Sequence, residues 1–101
     1  MTWYRTRRGV VLAGICGEYM LVAAKTARGS VPYVTQLNES SAALWRMLEG
    51  GGNEQTLEEG VVREFEIEDR ASVRTAIRDF IDQMVEFGYL IPEQTEGENN
   101  E

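Results

Sequence analysis

The stretch that decides the fold is residues 37–50, which read LNESSAALWRMLEG. Asn38 is a good N-cap, because its side-chain oxygen can accept an amide hydrogen from the first helical turn. Gly50 readily adopts the left-handed conformation on which helices often end. Between them the apolar residues recur at helical spacing and form one broad stripe: Leu44, Trp45, Met47 and Leu48. The stretch therefore predicts a capped helix, with strands before it and helices after it.

The residues before this helix read first as a β-hairpin. Apolar residues dominate 10–15 and 19–22, and Gly17 between them suits a tight turn. The single cysteine, Cys16, is expected to be a small, semi-buried apolar residue beside this turn. The chain has no histidine, so histidine-based acid–base catalysis and histidine metal sites are excluded, and Cys16 has no histidine to activate it.

A third strand is predicted over residues 33–37. Its side chains alternate between two faces, with Tyr33, Thr35 and Leu37 on one and Val34 and Gln36 on the other. The proline at position 32 has no amide hydrogen to donate. Since a central strand needs such donors on both sides, the proline favours an edge strand.

Three helices in all are predicted, two of them after the glycine-rich connector 50–52. Thr56 is expected to cap the second helix, with Glu59 reaching back in a capping box. Asp69 is the expected cap of the last helix, 70–87, which Gly88 ends. Its apolar stripe consists of Val73, Ile77, Phe80, Ile81 and Met84. A short extended piece, 89–91, follows and is expected to stop at the next proline, so three strands precede three helices in an α+β pattern.

Length and charge bound the organisation of the chain. At 101 residues we expect one folded domain over 9–91, an N-terminal arm over 1–8 and a disordered acidic tail over 92–101. The arginines of the arm are expected to be a solvated run; in the alternative, they contact an acidic partner protein.

A net charge of −7 disfavours nucleic-acid binding, and no apolar run is long enough for a membrane span. We expect a cytoplasmic protein.

Several stretches together resemble the PqqD-like family, which is named for pyrroloquinoline quinone biosynthesis. They are Gly17-Glu18-Tyr19-Met20-Leu21-Val22, residues 37–45 and 48–50, Leu57-Glu58-Glu59, Phe65, Val73, Phe80 and Gly88-Tyr89-Leu90. The resemblance covers about residues 9 to 91. The chain departs from the pattern by a longer loop before the third strand, by Gly60, and by Tyr89 within a step that resembles Gly-Leu-Leu.

The resemblance implies a RiPP recognition element, a winged helix-turn-helix-like module without catalytic residues or cofactors. Such a module binds the leader segment of a ribosomally made precursor peptide by strand addition. It then presents the precursor to a modifying enzyme, typically a radical S-adenosylmethionine (radical SAM) enzyme. The family's cleft lies between the third strand and the third helix, which here are residues 33–37 and the first half of the last helix.

The candidate peptide-binding residues follow from this placement. They are Tyr33, Val34, Thr35, Gln36, Leu37, Val73, Arg74, Ile77, Arg78 and Ile81. We hypothesise that Val73, Ile77 and Ile81 take apolar side chains of the leader. Arg74 and Arg78 would then meet leader carboxylates. In the alternative, these arginines form a solvated face with nearby acidic residues of the same helix: Asp79, Asp82 and Glu86. Trp45 and Phe80 are expected to be core residues.

Two other classes of function compete with the peptide-binding module. A DNA-binding winged-helix regulator would need a basic recognition helix, and the neighbouring carboxylates repel phosphates. A small enzyme would need paired carboxylates in a desolvated site, whereas the pairs present lie on predicted exposed helix faces. No oligomeric state is predicted.

Overall fold

The computed structural model describes residues 2–24, 27, 29 and 31–94, and its elements confirm the α+β class. The strands and helices follow in this order: β1 Thr2–Thr6, β2 Val10–Ile15, β3 Glu18–Ala23, β4 Val34–Leu37, α1 Glu39–Leu48, α2 Glu54–Glu64, α3 Arg70–Phe87 and β5 Leu90–Gln94. The predicted three-stranded antiparallel sheet is β2-β3-β4, and three helices follow it.

The hairpin β2–β3 closes through the two residues Cys16 and Gly17. Both have positive φ, 53° and 79°, which is the backbone of a primed two-residue turn. Cys16 is exposed, so the expectation of a semi-buried side chain is wrong: the turn projects beyond the sheet. The face of the sheet that includes Leu21 and Leu37 packs on the helices and supplies part of the core.

Helix α1 begins as predicted, since the Asn38 side chain accepts a hydrogen bond from the Ser41 amide at 2.8 Å. The predicted left-handed residue is displaced by one position. Glu49 is still helical, and the positive φ of 90° falls on Gly51 rather than Gly50. A Cβ at Gly51 would lie 2.7 Å from the Trp3 indole nitrogen. The positive φ and this close approach therefore both require glycine here.

Helix α2 begins about one turn earlier than predicted. Asn53 is its N-cap, and Thr56 occupies the third helical position of the capping box instead of the cap itself. The two residues exchange hydrogen bonds of 2.8 and 2.9 Å, which satisfies both amides. For α3 the predicted ends are confirmed, with Asp69 as cap and Gly88 left-handed at φ 90°.

The chain ends form a second sheet that the sequence did not predict. β1 pairs antiparallel with β5, so the expected arm 1–8 contains a strand, and β5 runs through Pro92 to Gln94 instead of stopping before the proline. Pro92 lies opposite Tyr4, whose amide and carbonyl bond to Gly52 on the other side, so the missing proline N–H leaves no gap in the ladder. The rest of the expected tail, 95–101, lies outside the described residues.

Candidate functional site

The outer edge of β4 is the first component of the site. β4 is the last strand in the order β2-β3-β4, so the prediction of an edge strand is confirmed. Its structural start is Val34, one residue later than predicted. The Ala23 amide bonds to the Tyr33 carbonyl at 2.9 Å, and hydrogen-bonded and non-bonded pairs alternate from there. The amides and carbonyls of Val34 and Gln36 therefore point away from β3, toward an edge that no strand among the described residues covers.

The second component is a cleft of about 1070 Å³ that begins where β4 ends. Asn38 and Glu39, directly after β4, lie on its border, and α1, the end of α2 and α3 enclose it. Leu44, Ile77 and Phe80 are buried apolar residues among its lining. The cleft therefore offers apolar contact at the end of a strand whose outer backbone groups can form main-chain hydrogen bonds.

Acidic and aromatic side chains also line this cleft. Glu64 and Asp79 contribute negative charge to its lining, and Phe65 is 47% exposed. The one arginine of the lining, Arg46, lies over the Tyr19 ring, with its guanidinium carbon 5.2 Å from the ring centroid. An extended peptide entering the cleft would meet aromatic, apolar and mostly acidic groups.

The structure divides the predicted site residues among different surroundings. Val73 and Ile77 line the cleft. Leu37 and Ile81 belong to the core, at 8% and 1% exposure, so neither offers a free side chain to a peptide. The remaining β4 candidates lie along the edge strand or at its entrance, with Tyr33, Val34 and Gln36 exposed and Thr35 half-buried.

The two predicted arginines lie toward α2 and not among the cleft lining. Arg74 donates to Glu58 at 2.9 Å, and Arg78 donates to Glu54 at 3.2 Å. Arg70 also lies 3.3 Å from Glu58. The hydrogen bond from Arg74, with the charges of Arg74 and Arg70, lowers the pKa of the Glu58 carboxyl below its ordinary value. These arginines therefore pair with carboxylates of α2, not with the acidic residues of α3 that the sequence suggested.

Reversing both charges, in the variant R74E/R78E, tests these ion pairs. We expect a lower melting temperature above pH 4.5, the ordinary Glu58 pKa, because four carboxylates then face one another across α2 and α3. A carboxyl with a lowered folded pKa stabilises above its unfolded pKa, and that contribution disappears as the pH falls through the folded pKa. The difference in melting temperature between the variant and wild type should therefore become smaller as the pH falls. Thermal melts followed by circular dichroism measure it.

The same variant decides whether these arginines contact a peptide. If they meet leader carboxylates, R74E/R78E weakens leader binding at low salt; if α2 occupies them, as their placement favours, the affinity stays unchanged. The control R8E/R63E alters the net charge equally through two exposed arginines elsewhere. A loss of affinity specific to R74E/R78E would return both residues to the site.

Sequence reasoning missed the flank of α3 that lines the cleft. Ala76, Phe80 and Gln83 recur three and four residues apart and share one face. Phe80 was predicted as core, and it is buried at 6% exposure while also lining the cleft. The spacing of these residues showed that they share one face of α3. It did not show which neighbouring element that face meets.

Within the described ranges, no group of three or more histidine, cysteine or carboxylate side chains is placed to hold a metal ion. Among the same residues, none of the helices combines the length and the apolar character that crossing a membrane requires.

An open strand edge beside a helix-lined apolar cleft is typical of domains that take up an extended peptide. The sequence comparison agrees with this class. Residues 18–90 match the family described as Coenzyme PQQ synthesis protein D (PqqD), and the chain belongs to that family. The resemblance noted from the sequence is thereby confirmed. No curated protein matches the chain significantly.

Two solved structures share the fold. One is described as "TbiB1 in Complex with the TbiA(beta) Leader Peptide"; it is 22% identical, with a TM-score of 0.69 over 90% of this chain and 99% of that chain. The other is described as "Lasso peptide synthetase B1 complexed with the leader peptide"; it is 20% identical, with a TM-score of 0.66 over 88% and 98% of the two chains. At these identities the likeness establishes the architecture.

Proposed function

We propose that this protein is a non-catalytic adaptor that binds the leader segment of a ribosomally made precursor peptide and presents the precursor to a modifying enzyme. The observation that carries the proposal is the open β4 edge next to the apolar cleft, in a chain of the PqqD family. The leader adds to β4 as a further strand, bonding to the outward groups of Val34 and Gln36. Its side chains on one face then enter the space beside α3.

The comparisons support this proposal through the partners of the two similar structures. Both TbiB1 and the lasso peptide synthetase B1 are described in complex with a leader peptide. The family name ties the present chain to coenzyme synthesis, which supports a modifying enzyme as the second partner, and we propose a radical SAM enzyme acting in the cytoplasm. This enzyme would act on the part of the precursor that leaves the β4 edge.

The DNA-binding alternative is not favoured. The arginines of α3, which would have to meet phosphates, are paired with Glu54 and Glu58. The cleft lining includes Glu39, Glu64 and Asp79, whose charges repel nucleic acid. A gel shift with random duplex DNA at low salt should show no complex.

The direct experiment is a titration of the ¹⁵N-labelled protein with a leader probe. The probe is a synthetic peptide with the sequence of the N-terminal half of a candidate precursor, chosen from the short open reading frames next to the gene. We expect the amide signals of Val34 and Gln36 to shift most, together with those of the α3 residues that line the cleft. Shifts confined to β1 and β5, or no saturable shifts, would contradict strand addition at β4.

Filling the cleft by substitution tests whether it takes part in binding. In A76W the indole occupies space on the α3 side of the cleft, and we expect the affinity for the leader probe to fall about tenfold or more through steric exclusion. The matched control is A71W, since Ala71 is exposed on the same helix and does not line this cleft. Fluorescence anisotropy with a labelled probe measures both, and equal affinities would remove the cleft from the site.

A further inference from the structure

Tyr89 is a buried tyrosine in the segment that follows α3, at a position where the sequence departs from a Gly-Leu-Leu-like step. Its side chain is 0% exposed. A tyrosine that is only a core residue has no need of its hydroxyl, and a buried hydroxyl requires partners. The partners of this hydroxyl belong to β4 and its entrance, outside the segment that carries Tyr89.

The hydroxyl joins the end of α3 to the edge strand. It donates to the Pro32 carbonyl at 2.9 Å and lies 2.6 Å from the Thr35 hydroxyl. Thr35 stands between Val34 and Gln36, the two residues whose backbone groups point to the open edge. One side-chain atom thus holds the middle and the entrance of the strand to which the leader is proposed to add.

The other end of this connection is also fixed. The Arg7 side chain donates to the Gly88 carbonyl at 2.6 Å, and the Arg7 amide bonds to the Tyr89 carbonyl at 2.8 Å. The ring itself packs edge-on against Trp45 and Phe87, with centroid separations of 6.4 and 6.2 Å. Because Arg7 holds the backbone while Trp45 and Phe87 hold the ring, the hydroxyl has a fixed position from which it bonds to β4 and its entrance.

We infer that Tyr89 is a positioning residue for the peptide site: its hydroxyl sets the spacing between β4 and α3 at which a leader strand can add. This inference rests on the proposed function. Without the hydroxyl, β4 keeps its pairing with β3 but is no longer held against α3. The spacing that suits a leader is then populated for a smaller fraction of the time, and the apparent affinity falls by that fraction.

The first test uses the free protein and needs no ligand. In Y89F the two β4 amides that pair with β3, those of Thr35 and Leu37, should exchange with solvent faster than in wild type, while α1 amides change less. The control is L57V, a core substitution in α2 away from β4. L57V should lower the melting temperature without this selective increase in exchange at β4.

The second test measures affinity for the leader probe. Y89F should bind about tenfold more weakly, since two buried hydrogen bonds are lost. T35V should weaken binding less, because the bond to the Pro32 carbonyl remains. T35S, which keeps the hydroxyl, should bind like wild type, and Y89F/T35V should bind no more weakly than Y89F. L57V should keep wild-type affinity although it is less stable.

The outcomes separate this inference from the proposed function. If wild type binds the probe and Y89F binds it equally well, the positioning role is overturned while leader binding stands. If wild type does not bind the probe, the proposed function fails. The amide exchange of Y89F and wild type still shows whether the Tyr89 hydroxyl holds β4 in place. Should Y89F not fold, T35V and T35S carry the same comparison from the other side of the hydrogen bond.

Discussion

Replacing Gln36 by proline is expected to raise the dissociation constant for the leader probe by about a hundredfold, because the leader carbonyl that faces this residue loses its donor and stays unpaired. The Gln36 amide points away from β3, so its loss removes no hydrogen bond of the native sheet. The proline ring also occupies space next to the open edge, where the added strand would lie. The Q36P variant should therefore fold and yet fail to bind.

The matched control for this experiment is Q36A. It removes the side chain, including its long contact of 3.4 Å with Glu18, and keeps the amide hydrogen. If Q36A binds normally and Q36P does not, the backbone of β4 is the recognising group. Isothermal titration calorimetry gives both affinities, and circular dichroism shows that both variants are folded. Normal binding by Q36P would contradict strand addition at this edge.

The parts of the fold that could be predicted are those specified by neighbouring residues. The cap at Asn38 and the left-handed stop at Gly88 need only a few consecutive side chains, and both are present. The hairpin around Gly17 needs only alternation and a turn residue. In each case the physical cause lies within one turn of helix or one tight turn, so the sequence contains the whole signal.

The terminal sheet could not be predicted because its cause is not local. Thr6 pairs with Leu90 across nearly the whole chain, and neither strand has a turn or a partner nearby in the sequence. Pro92 was misleading for a related reason. A proline ends a strand only where its missing N–H faces a neighbouring strand, and opposite Tyr4 it does not.

In the candidate site, too, the features with a local cause could be predicted and those that depend on tertiary placement could not. The edge character of β4 followed from the proline before it, whereas the directions faced by the flanks of α3 did not follow from its own sequence. The flank of α3 that carries Arg74 and Arg78 faces α2. There Glu54 and Glu58 lie four residues apart, the same spacing as the two arginines with which they pair. Because the sequence predicted that α2 starts after Thr56, Glu54 lay outside the predicted helix and its match to Arg78 was not apparent.

Replacing Trp45 by alanine is expected to cost about 3–5 kcal/mol of unfolding free energy, a large share of the 5–15 kcal/mol typical of a domain. Trp45 is among the largest fully buried side chains, at 1% exposure, as its prediction as a core residue required. Its removal leaves a cavity between α1 and the segment after α3, because the indole packs edge-on against Tyr89. Urea denaturation followed by far-ultraviolet circular dichroism measures the loss.

The variant W45F distinguishes the loss of side-chain volume from the loss of the indole N–H at this position. The indole N–H is buried without a hydrogen-bond partner among the described residues, so replacing the indole by a phenyl ring removes an unsatisfied donor as well as some volume. We therefore expect W45F to cost less than half as much as W45A. A loss below about 1 kcal/mol in W45A itself would contradict the central place of this side chain in the core.

The effect on binding should follow the same order as the effect on stability. Trp45 supports the ring of Tyr89, and Tyr89 holds β4 through its hydroxyl. In W45A the tyrosine ring can tilt into the cavity and draw its hydroxyl away from Thr35, so the leader probe should bind more weakly even where the protein remains folded. In W45F the ring stays supported, and the affinity should remain close to that of wild type.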